Sequence, residues 1–122
     1  MTSLSAKDTV AGLRTYFRIM QAWSVDDRQA MTILDAPEPN YYRWSENPEK
    51  AQLSEEQIIR MSYIFGIYER LQVLLPDAQV ADSWVSTPNA AAVFKGRRPL
   101  DLMSSGGLQD LRRVRDYLEV EM

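Results

Sequence analysis

Residues 53–76 leave a chain of this size few options. Leu53-Ser54-Glu55-Glu56-Gln57-Ile58 opens a helix with a capping box. The Ser54 hydroxyl can accept from the Gln57 amide, the Gln57 side chain can reach back to the Ser54 amide, and Leu53 can staple onto Ile58. From there Ile58, Met61, Phe65 and Tyr68 form one apolar stripe, and Ile64, Ile67, Leu71 and Leu74 a second. A surface helix needs one stripe; a helix with two must be covered on both sides. The spacing therefore predicts a central helix ended by Pro76, wrapped by other helices.

The flanking sequence supplies them. Val10, Leu13, Phe17 and Met20 mark a first helix ending near Trp23. Ser24-Val25-Asp26-Asp27 reads as an N-cap at Ser24 with an acid at N3, opening a helix that runs to Leu34 with Ala30, Ile33 and Leu34 inward. Asp35-Ala36-Pro37-Glu38-Pro39 breaks it. A short helix carrying Asn40 to Trp44 follows, shortened by the prolines and stopped by Ser45-Glu46-Asn47-Pro48. Asp77 caps a fifth helix with Val80, Trp84 and Val85 facing in. A loop-rich stretch punctuated by Pro88, Gly96, Pro99 and Gly106-Gly107 includes Leu100 to Met103. A last helix turns Leu108, Leu111, Val114 and Leu118 inward. No strand alternates and no 20–50-residue period repeats. The expected fold is all-α with six to seven helices: a helix-turn-helix-like segment 1–76 and a helical region 77–122. With 122 residues, 45% of them hydrophobic, the chain can bury a real core.

Chemistry is limited by what is missing. Without His or Cys there is no common general base near neutral pH, no thiolate and no usual zinc ligand set. The acid pairs Asp26-Asp27 and Glu55-Glu56 fall in first helical turns, where the helix dipole favours negative charge. Gly106-Gly107 lacks the spacing of a phosphate-binding loop. No catalytic residue, metal or cofactor is expected, so a binding protein is favoured over an enzyme. The N-terminus lacks a signal-peptide pattern and the apolar runs are too short for a bilayer, so a cytoplasmic protein without membrane contact is expected.

Two surfaces are candidates for binding. The segment Ser24–Trp44 has the outline of a helix-turn-helix, in which Asn40, Tyr41 and Arg43 would face DNA and Trp44 the core. An ordinary helical pair with an exposed aromatic cluster fits the same pattern, and Asp35 stands where such turns commonly carry glycine. The net charge of −3 disfavours a strong free-standing nucleic-acid binder. Locally basic strips remain at Lys95-Gly96-Arg97-Arg98 and Arg112-Arg113-x-Arg115. They are solvated surface charge, a complement to an acidic partner, or a second phosphate contact.

The series Asp82-Ser83-Trp84-Val85-x-x-Pro88-Asn89, Phe94-x-Gly96-x-x-Pro99-Leu100-Asp101-Leu102-Met103, Gly106-Gly107-Leu108 and Val114-Arg115-x-Tyr117-Leu118 resembles the toxin-binding domain of Xre/MbcA/ParS-like antitoxins. Trp23-Ser24, Tyr41-Tyr42-Arg43-Trp44 and the run from Leu53-Ser54 through Arg60 to Gly66-Ile67-Tyr68 are similar to that family's helix-turn-helix half. The resemblance implies a type II antitoxin that binds a RES-domain toxin, an enzyme that consumes NAD. It further implies that the C-terminal segment obstructs the toxin's active site, and that an oligomeric toxin–antitoxin complex can bind its own promoter. On this reading the toxin meets Arg112, Arg113, Arg115, Tyr117, Glu119, Val120, Glu121 and Met122, presented outward from the last helix. Removing residues 112–122 should then abolish neutralisation and leave the helical core folded. The alternative is a helix-turn-helix transcriptional regulator whose C-terminal region serves dimerisation.

Overall fold

A computed structural model of the chain describes residues 5–120, which form seven α-helices, two 3-10 turns and no strand. The helices are α1 (Ala6–Ala22), α2 (Asp27–Leu34), α3 (Glu38–Glu46), α4 (Glu55–Leu74), α5 (Ala78–Ser83), α6 (Pro99–Met103) and α7 (Leu108–Val120). The all-α expectation holds.

The capping box forms as read. Ser54 Oγ accepts from the Gln57 amide at 3.0 Å, and the Ser54 amide donates to Gln57 Oε1 at 2.9 Å. The helix it starts, α4, packs against α1, α2, α5 and α7. Met61, Ile64, Ile67 and Leu71 are buried along it, and the outer stripe residues Phe65, Tyr68 and Leu74 are half-buried. Helix α7 lies alongside in the same direction: Tyr63 and Gly66 face Arg115, while Leu71 and Leu74 share a cleft with Leu118. One contiguous core collects side chains from 1–76 (Leu13, Trp23, Ile33) and from 77–122 (Phe94, Met103, Leu111).

Several local expectations are corrected. The N-cap of α2 is Asp26, whose Oδ1 accepts from the Gln29 amide at 2.8 Å. Ser24 cannot hold that place because it closes α1 with φ 57°, whereas an N-cap needs extended backbone. The prolines start α3 rather than shorten it: Pro37 is its N-cap residue and Pro39 falls in its first turn, where no amide donor is required. Val80 is exposed and Ala81 takes the inward position on α5. Pro99–Met103 is helical within the stretch expected to be loop. Pro99 opens that helix, and Asp101 reaches back to the Arg98 amide at 3.2 Å and to its guanidinium at 2.6 Å. The Arg98 cation holds the Asp101 carboxyl below its ordinary value.

Candidate functional site

Helices α5 to α7 and the intervening loop form a compact unit on the last turns of α4. Its centre is aromatic. Trp84 and Tyr117 stack with ring centroids 6.3 Å apart, and Phe94 meets both edge-on at 5.7 and 5.2 Å. Each such pair adds about 0.5–1.5 kcal/mol beyond the area buried. Asn89 clips the loop between these rings. Its Oδ1 accepts from the Ala91 amide at 2.9 Å, its own amide donates to Arg97 O, and its carbonyl accepts from the Gly96 amide. The loop turns at two successive left-handed residues, Lys95 (φ 53°) and Gly96 (φ 82°), so glycine suits the second position.

A buried cation fastens this unit to the rest. Arg60 is only 3% exposed. It donates to the carbonyl of Gly106 at 2.9 Å and to that of Ile33 at 3.1 Å, and pairs with Glu56 at 3.0 Å. Sequence reasoning missed this residue as a strut; an arginine between two apolar stripes was the available signal.

Helix α7 does not present all its expected contact residues outward. Arg112 and Arg113 are exposed, with only loose pairs to Asp116 and Asp110 at 3.6 Å each. Such pairs are worth at most about 1 kcal/mol, so both cations stay available. Arg115 is half-buried, its guanidinium 4.8 Å from the Tyr63 ring centroid and 2.9 Å from Asp116. Tyr117 is not a free plug: it is a wall of the aromatic cluster, because the helical phase that buries Val114 and Leu118 turns it toward Trp84. Glu119 and Val120 are exposed, and Glu121 and Met122 lie outside the described residues. Since Val114 and Leu118 are core residues, removing 112–122 strips the core and is no clean test of a plug.

In the segment whose sequence outlines a helix-turn-helix, Asp35 adopts a left-handed conformation (φ 58°, ψ 45°). Arg43 is exposed, Asn40 half-buried and Trp44 buried. Tyr41 corrects the expectation. It is 5% exposed and packs on Phe17 with centroids 5.3 Å apart. Residues 41 and 44 are three apart on α3, so the phase that buries Trp44 buries Tyr41 as well. Burial, then Asp27 and Tyr42, push the Tyr41 hydroxyl up to about 12. The outward aromatic is Tyr42, which donates to Asp27 Oδ2 at 3.4 Å. Glu38 and Glu46 share the exposed side of α3 with Arg43, and negative charge there opposes phosphate.

Among the described residues, no helix is long and apolar enough to cross a membrane. Comparison with known proteins gives the unit its meaning. Residues 70–119 match the family model of the antitoxin Xre/MbcA/ParS C-terminal toxin-binding domain. An uncharacterized protein, y4oB, of Sinorhizobium fredii (strain NBRC 101917 / NGR234) is 30% identical over 112 residues, covering 91% of this chain and 84% of the relative. The chain belongs to the Xre/MbcA/ParS antitoxin family. No solved structure matches significantly. The matched stretch of this antitoxin starts in the last turns of α4 and ends one residue before the end of α7. It therefore takes in the aromatic cluster, the Asn89 clip and the arginine face of α7. A cognate toxin is its partner.

Proposed function

We propose that this antitoxin is the inhibitory half of a type II pair, that its toxin is a RES-domain enzyme consuming NAD, and that the end of α7 lies across the toxin's active-site entrance. The observation that carries the reading is the coincidence of the toxin-binding family match with one structural unit, α4's last turns through α7. Within it Arg112, Arg113, Glu119 and Val120, continued by Glu121 and Met122, are the contact residues, with Arg115 held beside them by Tyr63. Tyr117 shapes that surface as a wall. The chain acts by binding, performs no catalysis of its own, needs no cofactor and works in the cytoplasm. Residues 1–76 are the base that holds the unit, and residues 77–122 carry most of the grip.

Promoter binding belongs to an oligomeric toxin–antitoxin complex rather than to the free chain. Arg43 and Asn40 supply the contacts on α3, while the acidic residues beside them and the net charge of −3 keep the isolated chain's affinity low. The test is co-expression with the product of the adjacent reading frame. The two proteins should co-purify, cellular NAD should fall when the neighbour is expressed alone, and this chain should restore it. A neighbour that binds this chain without lowering NAD sinks the RES assignment; a neighbour that does not bind sinks the antitoxin pairing.

A further inference from the structure

Five large apolar side chains are exposed among the described residues, and single exposed ones need no explanation. Two of them are not scattered. Val73 is 63% exposed and Val120 is 81% exposed. Because α4 and α7 run side by side in the same direction, both fall at the same end of the helix pair. Val73 shares a cleft with Glu119, the residue preceding Val120. The adjoining residues of both helices line a second opening, a slot of about 260 Å³ between Leu74, Leu75, Trp84 and Tyr117. Tyr117 cannot close it, since its ring is fixed in the stack on Trp84. Around this apolar centre lie Glu69, Glu119 and Arg70, whose Nε has no acceptor among the described residues. An apolar centre with a charged rim is the anatomy of a protein interface.

We propose that the toxin seats an apolar knob, an aliphatic or aromatic side chain, on the saddle formed by Val73, Val120 and the Trp84–Tyr117 slot, and that this contact anchors the complex beside the charged end of α7. This rests on the toxin-binding reading given above and names the part of the surface that supplies the affinity. The occupant is the toxin because every saddle residue except Val120 falls inside the toxin-binding match, and Val120 adjoins it. The charged residues of α7 are then rim contacts, which steer encounter more than they hold the complex.

Val73 and Val120 can be changed without touching the core. Lysine near a helix C-terminus suits the dipole, so Val73→Lys and Val120→Lys should keep wild-type helicity and melting. In the full chain, titrated calorimetrically against the toxin of the adjacent frame, each should weaken binding about 10-fold or more, the loss that follows from about 1.4 kcal/mol at an anchoring contact. Val73→Leu and Val120→Leu keep an apolar surface there and should lose less than the lysine variants. Ile59→Lys, on the same helix and roughly 21 Å away at 1.5 Å per residue, should leave affinity unchanged. Wild-type affinity in both lysine variants overturns the saddle and leaves the antitoxin reading standing. So does a change in the free antitoxin's own oligomeric state, seen by light scattering with toxin affinity intact, which would assign the surface to a second copy. If wild-type antitoxin does not bind that toxin at all, the toxin pairing itself fails and the saddle falls with it.

Discussion

Arg60 Nη2 donates to the carbonyl of Gly106 at 2.9 Å, joining residues 46 positions apart. The same guanidinium donates to the Ile33 carbonyl at 3.1 Å. The end of α2, the second turn of α4 and the entrance to α7 therefore hang on one side chain. Arg60→Ala would leave the buried Ile33 carbonyl without that donor, at about 1–3 kcal/mol, and would give the part-exposed Gly106 carbonyl to water at smaller cost. Its half-exposed partner Glu56 contributes little. The expected loss is about 2–4 kcal/mol in urea unfolding, with Arg60→Lys intermediate because an ammonium does not span both carbonyls.

The alkaline limit of stability should be set by two tyrosines. Tyr16 is fully buried and donates to the Ala30 carbonyl at 2.6 Å; burial raises its hydroxyl well above the ordinary 10.0. Tyr41 is pushed up to about 12. Both groups stay protonated in the folded state where the unfolded chain has lost the proton. Their contribution is therefore complete below the unfolded value of 10.0 and is lost as pH rises toward and through the folded values. Urea midpoints should hold up to pH 10 and fall between 10 and 12. Tyr16→Phe should cost about 1 kcal/mol at neutral pH and flatten that fall.

Truncations should separate grip from fold. Ending the chain after Leu118 removes, among the described residues, only the exposed Glu119 and Val120, so melting should change little while neutralisation of the toxin is lost. Ending it after Leu111 deletes Val114 and Leu118, both buried, and the Tyr117 wall. At about 1.5–3 kcal/mol per buried aliphatic side chain, that loss rivals the whole stability of a small domain. Far-UV dichroism should show the longer truncation unfolded.

The turn between α2 and α3 gives a smaller effect. Asp35 holds a left-handed conformation, and its carbonyl accepts from Gln57 Nε2 at 3.0 Å. Asp35→Gly keeps that backbone bond and relieves the conformation, so stability should stay within about 0.5 kcal/mol of wild type. Asp35→Ala should cost about 1 kcal/mol, because alanine tolerates the left-handed region less well than aspartate. Thermal melts of the two variants would read the difference.

What the sequence alone determined is local. Ser54 and Gln57 cap α4 because a capping box needs only residues three apart. The two stripes of α4 and the Leu111, Val114, Leu118 row of α7 follow from helical period, and Met61, Ile64, Ile67 and Leu71 of the stripes and all three of the row are buried. Asp77 and Asp35 took their cap and turn positions for the same short-range reason. The resemblance carried by the series from Trp84 to Leu118 pointed to the toxin-binding unit, and Trp84, Asn89, Phe94, Gly96 and Tyr117 of that series build its loop and stack. Tertiary structure decided the rest. Tyr41 went inward and Tyr42 outward because the phase of α3 is set by its packing on α1. Val80 was left exposed because the short α5 turns Ala81 to its neighbours. Tyr117 became a wall when Trp84 and Phe94, distant in the chain, came to lie beside it. Period and capping act within a few residues. Which aromatic side chain is covered, which carbonyl receives Arg60 and where a saddle opens depend on helices that meet only once the chain has folded.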